Sequence, residues 1–241
     1  MFRRRDNRQY DQLRPIKFTR KFTKNAEGSV LVEFGDTKVF ITAKVEERVP
    51  AFLMGKGLGW ITAEYSLLPG STLIRSVREV TRGAASGRTN EIQRLIGRSL
   101  RAIVDRRALG ERTISIDCDV LQADGGTRVA SISGAYLALY DALAKIRRTN
   151  SGEDLPVIEH MAAVSIAQVE GQLVLDPNYH EDAQAEMDSN IVLSQSGNII
   201  ELQIASESTP WNHEKLPQLM ELANKGVKEI IDAQVLALKN K

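Results

Sequence analysis

Apolar positions change period several times along the chain, and each change marks an element. Val30-Leu31-Val32-Glu33-Phe34 and Val39-Phe40-Ile41-Thr42-Ala43 flank Gly35-Asp36. Two β-rich runs about a Gly-Asp turn predict a hairpin within Ser29 to Val49. Trp60 to Tyr65 predicts a further strand. Ile92, Leu95, Ile96, Leu100, Ile103 and Val104 keep the 3.6-residue period of a helix over Thr89 to Asp105, with Arg94, Arg98 and Arg101 on another face. Ile114, Ile116 and Cys118 alternate with polar neighbours, which predicts a strand over Thr113 to Val120. Ala123 to Thr127 breaks it, and an Ala- and Leu-rich helix follows from about Arg128 to Ile146. Asn150 to Asp154 reads as a linker-like loop. Ala162 to Val169 and Gln172 to Leu175 predict a second hairpin about Glu170-Gly171. Asn190 to Leu193 and Ile199 to Ile204 predict a further pair about Ser196-Gly197-Asn198. Asn212 to Leu238 predicts a helix with Asn212 as N-cap and a break at Gly226. The order implies an α+β fold of two related halves.

Composition changes this picture little. The 241 residues are 42% apolar and 26% charged, which suits a globular chain able to bury a substantial core. Cys118 is the one cysteine, so an internal disulfide and a multi-cysteine zinc site are excluded, and a reducing compartment fits. The longest uncharged, mostly apolar stretch, Val129 to Tyr140, is too short to span a bilayer. No apolar run follows Arg3-Arg4-Arg5, so no secretory signal is visible and a cytoplasmic location is expected.

Charge changes it more. The formal net charge is +1, yet the signs are segregated. Met1 to Lys24 carries nine Lys/Arg against Asp6 and Asp11, and residues 1–15 read as a mobile basic arm. Gly70 to Arg112 carries ten Arg and no Lys against four acids. Two basic blocks in a near-neutral chain point to a polyanion, and an all-Arg block points to phosphate, because the guanidinium fork matches phosphate oxygens. Within this block Gly70 to Gly87 is a long irregular stretch holding Arg75, Arg78 and Arg82, and such loops are usually functional or disordered.

Three segments hold candidate chemistry. Ser86-Gly87-Arg88-Thr89 opens the Arg-rich helix, and Asp124-Gly125-Gly126-Thr127-Arg128 lies between a strand and the next helix. Helix N-termini present unpaired N–H groups and a positive dipole, so Gly, Thr and Arg placed there twice suit an oxyanion. The third segment, Asp176 to Asp188, holds Asp176, Glu181, Asp182, Glu186 and Asp188 and no Lys or Arg. Five such carboxylates repel unless solvated or bound to a cation such as magnesium. Extended chain would separate Asp182 from Asp188 by ~20 Å, so the two meet only if Ala183 to Met187 reverses direction. His160, His180 and His213 are scattered, and no nucleophile–histidine arrangement can be inferred.

The chain resembles the bacterial ribonuclease PH family of phosphate-dependent exoribonucleases that trim tRNA 3′ ends. The resemblance spans nearly the whole chain from Asp11-Gln12-Leu13-Arg14-Pro15. It rests on Glu27 to Thr37, Gly59-Trp60 with Thr62-Ala63-Glu64-Tyr65, Gly87-Arg88-Thr89 with Glu91 to Ile96, and above all Asp117-Cys118-Asp119-Val120-Leu121-Gln122-Ala123-Asp124-Gly125-Gly126-Thr127-Arg128. It implies the ribonuclease PH fold, of the ribosomal-protein-S5-domain-2-like type: two ββαβ-type halves, about 1–150 and 151–241, in a single compact domain over residues 1–241. It implies a hexameric ring built as a trimer of dimers. Arg88, Gly126, Thr127 and Arg128 would bind inorganic phosphate as co-substrate, with Arg88, Asp182 and Asp188 catalytic. Asp182 and Asp188 would hold Mg2+, and Arg75, Arg78 and Arg82 would guide RNA, chiefly the 3′ ends of tRNA precursors. No membrane partner is expected.

The sequence departs from the family pattern at Gly70, Leu73, Ala183 and Ile204-Ala205-Ser206, none of which is read as touching the phosphate donors or the two aspartates. A non-catalytic ring subunit that only binds and threads RNA is the alternative. Such a subunit should have lost phosphate or metal residues, all of which are present here. A sugar or small-metabolite kinase of related fold is a third reading, disfavoured by the lack of a P-loop pattern.

Overall fold

A computed structural model describes residues 3–149, 155–206 and 209–239, leaving aside the side chains of Val80, Arg82, Arg148 and Thr149. The linker-like loop expected at 150–154 lies outside the described residues, as does the Arg82 side chain.

The first half is a five-stranded sheet with two long helices on one side. Its strands are β1 (Ile16–Arg20), β2 (Gly28–Phe34), β3 (Thr37–Glu46), β4 (Trp60–Leu67) and β5 (Thr113–Gln122). They lie side by side in the order β1-β2-β3-β5-β4. The Gly35-Asp36 turn pairs Phe34 with Thr37 and closes the predicted hairpin, Gly35 taking φ +55° where a side chain would be strained. β4 runs parallel to β5 and so needs a crossover, supplied by α1 (Gly87–Ala102) and the single turn α2 (Arg106–Leu109).

The second half is a four-stranded antiparallel sheet, β7-β6-β8-β9. Its strands are β6 (Met161–Val169), β7 (Gln172–Leu175), β8 (Met187–Ser194) and β9 (Ile199–Ser206). A one-turn helix, α4 (Tyr179–Asp182), lies between β7 and β8, and α5 (Leu216–Lys239) closes the chain.

Between the sheets lies α3 (Thr127–Thr149), which packs on β2 and β3 on one side and β6 on the other. Val129, Ile132, Tyr136, Leu137 and Leu139 are all buried on it. A helix apolar on every side belongs in a core. Residues Thr127–Arg147 have the length and composition to cross a membrane, but here they are that core. Each buried Val, Leu or Ile contributes ~1.5–3 kcal/mol relative to an exposed one.

Four expectations need correction. The α1 helix stops at Ala102, not Asp105: the Asp105 carboxylate accepts from the N–H groups of Arg107 and Ala108, and so caps α2 instead. The α5 helix runs unbroken through Gly226, because the bare Cα lets it close on β6 and β7. A Cβ there would sit 2.9 Å from side-chain atoms of Val164 and Leu175. Asn212 does cap, but it caps the 3-10 turn His213–Lys215 that leads into α5. Nor does the described part of the basic arm stand free of the body: the Arg4 and Arg14 side chains are buried in ion pairs with Glu181 and Asp176.

Candidate active site

The two halves meet around a cleft of about 410 Å³, within the ~300–1,000 Å³ common for small-ligand sites. Its floor is the loop joining β5 to α3. Gly125 and Gly126 take φ +76° and +66°, which L side chains rarely adopt, and so turn the chain sharply into α3. Gly126, Thr127 and Arg128 line the cleft, so the donor-rich end of a 23-residue helix opens into it. The Thr127 hydroxyl lies 2.8 Å from the Tyr65 hydroxyl. Burial pushes the Tyr65 phenol above its ordinary value. A protonated phenol can donate to Thr127 and leave the threonine proton for a ligand.

Arg88 enters from the start of α1. Ser86 caps that helix, its hydroxyl accepting from Thr89 N–H, while the Thr89 hydroxyl donates to Glu79 at 2.7 Å. Thr89 is therefore occupied elsewhere, and of this segment Arg88 reaches the cleft. Arg128 is steadied by Glu91 at 3.6 Å and Gln203 at 3.4 Å. Arg88 and Arg128 are each the second residue of a helix whose first turn has no acid. A cation there opposes the helix dipole by roughly 0.3–1 kcal/mol. Two such placements facing one cleft make a field that an anion relieves.

The opposite wall is acidic. The five carboxylates of the 176–188 segment divide into two kinds. Arg14 grips Asp176 through Nε and Nη2 at 2.9 and 2.6 Å, and Arg4 grips Glu181 through Nε and Nη2 at 2.8 and 2.7 Å. Glu181 also completes a capping box with Asn178. Glu186 accepts from the Gln168 side chain and from Gly171 N–H. Asp182 and Asp188 remain without such partners, and both line the cleft, with Glu186 between them in sequence also part of its lining. They meet because α4 is a single turn and the chain reverses over 183–186 before β8. Partial burial and the charge of Asp188 push the Asp182 carboxyl above its ordinary value, against the pull of Arg88, Arg128 and Arg14.

Among the described residues no three His, Cys, Asp or Glu side chains gather at metal-binding spacing. Two like-charged carboxylates lining one cleft do suit magnesium, which takes one or two carboxylates plus substrate oxygens and water.

Arg75 and Arg78 lie outside the cleft lining, exposed on the loop between β4 and α1. Thr72, from the same loop, lines it. Arg78 lies near enough to β5 to temper Asp119, whose pKa burial and Asp117 raise. Two departures from the family pattern stand closer to the site than expected. Ala183 lines the cleft beside Asp182, and Ala205, paired across β8 and β9 with Asp188, lines it too. Gly70 is exposed, with open space where a side chain would stand. Sequence reasoning missed the site roles of Tyr65, Arg4 and Arg14. The one available signal was electrostatic: a basic arm and an acidic segment of opposite sign in one near-neutral chain.

An α+β fold of two packed sheets, with two arginine-bearing helix starts facing an acidic pair across one cleft, defines the class. The chain belongs to the ribonuclease PH family: the models for the 3′ exoribonuclease family match residues 12–145 (domain 1) and 160–226 (domain 2). Its fold is shared with rice (Oryza sativa) Rrp46, at 20% identity and TM-score 0.79 over 98% of this chain and 100% of that one. It is similar also to a chain of the Archaeoglobus fulgidus exosome with RNA bound to the active site, at 24% identity and TM-score 0.76 over 99% and 93%. A chain of an archaeal exosome core matches at 23% identity and TM-score 0.72 over 98% and 90%.

Proposed function

We propose that the chain is a ring-forming RNA-binding subunit whose cleft carries out phosphorolysis, releasing nucleoside 5′-diphosphates one at a time from RNA 3′ ends. The observation that carries this reading is the convergence of Arg88, Gly126, Thr127 and Arg128 with Asp182 and Asp188 on one cleft.

An oxygen of inorganic phosphate attacks the terminal phosphodiester phosphorus, and the bond to the 3′-oxygen of the shortened RNA breaks. The attacking phosphate brings the proton that the 3′-oxygen needs. The obstacle is that one anion must approach another. Arg88, Arg128 and the α3 N-terminus lower it by holding phosphate against its own repulsion and in line. Magnesium, held by Asp182 and Asp188, would neutralise charge on the scissile group and the departing oxygen. One phosphoanhydride replaces one phosphodiester, so excess nucleoside diphosphate should extend the RNA. Arg75, Arg78 and Arg82 would grip backbone phosphates without reading sequence. tRNA precursors in the cytoplasm are the proposed substrate, and a homohexamer the proposed assembly.

The likeness to Rrp46 and to exosome core chains supports a second reading, a ring subunit that threads RNA without cleaving it. The intact set of arginines and aspartates weighs against it. Incubating the purified chain with a 3′-tailed tRNA and magnesium, with and without phosphate, separates the two. Diphosphates released only with phosphate support phosphorolysis; RNA bound but unshortened would establish the threading subunit.

A further inference from the structure

The phosphate loop and the acidic loop come from different halves of the chain, yet they must face each other to a fraction of an ångström for phosphate to be in line. A hydrogen bond and close backbone packing join them directly. Tyr179 N–H donates to Asp124 Oδ1 at 3.2 Å, and a Cβ on Gly125 would fall 2.6 Å from Pro177 O. Behind both lies Arg14, which is 6% exposed. It uses all five of its N–H donors. Nε and one Nη2 proton take the Asp176 carboxylate, at 2.9 and 2.6 Å, and the second Nη2 proton reaches Gly125 O at 3.4 Å. Nη1 donates to Asp124 O and, at 3.5 Å, to the Thr37 hydroxyl. Thr37 in turn donates to Gly125 O at 2.6 Å and accepts from Asp124 N–H at 3.0 Å.

We propose that Arg14 is a positioning residue that sets the phosphate loop against the acidic loop, although it is not part of the cleft lining. This rests on the phosphorolytic reading of the same cleft. A trans peptide is planar, with its C=O and N–H pointing opposite ways. Holding Gly125 O from the arm side therefore turns the Gly126 N–H toward the cleft, where an anion can accept from it. On the other side the Asp176 carboxylate fixes the start of the segment that leads through Asn178 into α4 and Asp182. One rigid, planar cation thus spans both loops. Lysine keeps the charge but offers three donors and no plane, so it cannot hold carboxylate and carbonyls together.

The test is calorimetric titration of the full chain with inorganic phosphate, without RNA or metal, for wild type, Arg14→Lys and Arg20→Lys. Arg20 makes a comparable ion pair with Asp141 and donates to the Ala237 and Leu238 carbonyls, away from the cleft, so it matches Arg14→Lys for purely structural loss. Arg14→Lys should weaken phosphate binding about tenfold or more, the scale of one lost charge-assisted hydrogen bond. It should raise the phosphate KM and lower kcat, with RNA affinity unchanged, while Arg20→Lys leaves phosphate affinity at the wild-type value. Wild-type phosphate affinity in a folded Arg14→Lys protein, or an equal loss in Arg20→Lys, would overturn the proposal. If Arg14→Lys fails to fold, Thr37→Val decides: it releases Gly125 O from the same side and should also weaken phosphate binding, and an unaltered affinity refutes the idea. A wild type that binds phosphate but cleaves no RNA removes the phosphorolytic reading and leaves this comparison intact. A wild type that binds no phosphate removes both.

Discussion

Arg88→Ala separates chemistry from folding more cleanly than any other change in the cleft. Arg88 is exposed, forms no ion pair among the described residues, and is the second residue of α1. Removing it takes a cation from the positive end of a helix dipole and replaces it with the best helix former. Both effects favour the folded state, by roughly 0.3–1 kcal/mol for the charge alone. Its loss from the transition state should be much larger. Removing a single preorganised donor from a developing oxyanion typically costs ~2.7–4 kcal/mol, or about 10²–10³ in kcat. The variant should therefore unfold at or slightly above the wild-type temperature while diphosphate release falls at least a hundredfold. The assay follows diphosphate from a 3′-labelled RNA at saturating phosphate, beside thermal unfolding of the same sample. Activity within about threefold of wild type lies far from the ~10²-fold loss expected, and an activity loss that tracks a fall in unfolding temperature assigns Arg88 to folding; either outcome removes its role in the chemistry.

Asp182→Asn should abolish diphosphate release, and added magnesium should not restore it; full activity in chelator would contradict the metal role. The same variant tests the electrostatics. The Asp182 pKa is raised in the folded chain, so protonation stabilises the fold, wholly below the unfolded value of ~3.9 and progressively less as pH rises through the folded value. Asp182→Asn should thus raise the Tm of metal-free protein near neutral pH and leave it unchanged in acid; a lowered neutral Tm would reverse that sign. Arg75→Ala should weaken RNA binding and reduce the log–log salt slope by about 0.7, one single-strand phosphate contact, and an unaltered slope would remove the contact. Gly125→Ala should lower stability by about 1–3 kcal/mol through its φ of +76° and the clash with Pro177 O, measured by denaturant unfolding; a neutral substitution would show that the loops are not interlocked.

Most strands were legible because alternation and turn chemistry agree locally, as at Phe34-Gly35-Asp36-Thr37. Helix ends were less so. Ile103 and Val104 keep the helical period, but Asp105 competes for the start of the next helix and wins, since its carboxylate satisfies two N–H groups. Gly226 reads as a breaker until the face it presses against β6 and β7 is known. Candidate site residues that lie at helix starts were visible because their chemistry is local. The meeting of Asp182 with Asp188 depended on a reversal that the intervening residues permit but do not dictate. The arm was the largest misreading. Arginines near a terminus look solvated until the buried carboxylates of a segment some 160 residues away are seen to need them.

Phosphorolysis in this cleft requires that it hold a free oxyanion between two arginines and beside an acidic pair. A crystal of the wild-type protein grown with phosphate tests it most directly. Phosphate density is expected within hydrogen-bonding distance of the Gly126 and Thr127 N–H groups and of the Arg88 and Arg128 guanidinium groups, on the side facing Asp182. Phosphate bound elsewhere while these four groups turn to other partners would contradict it.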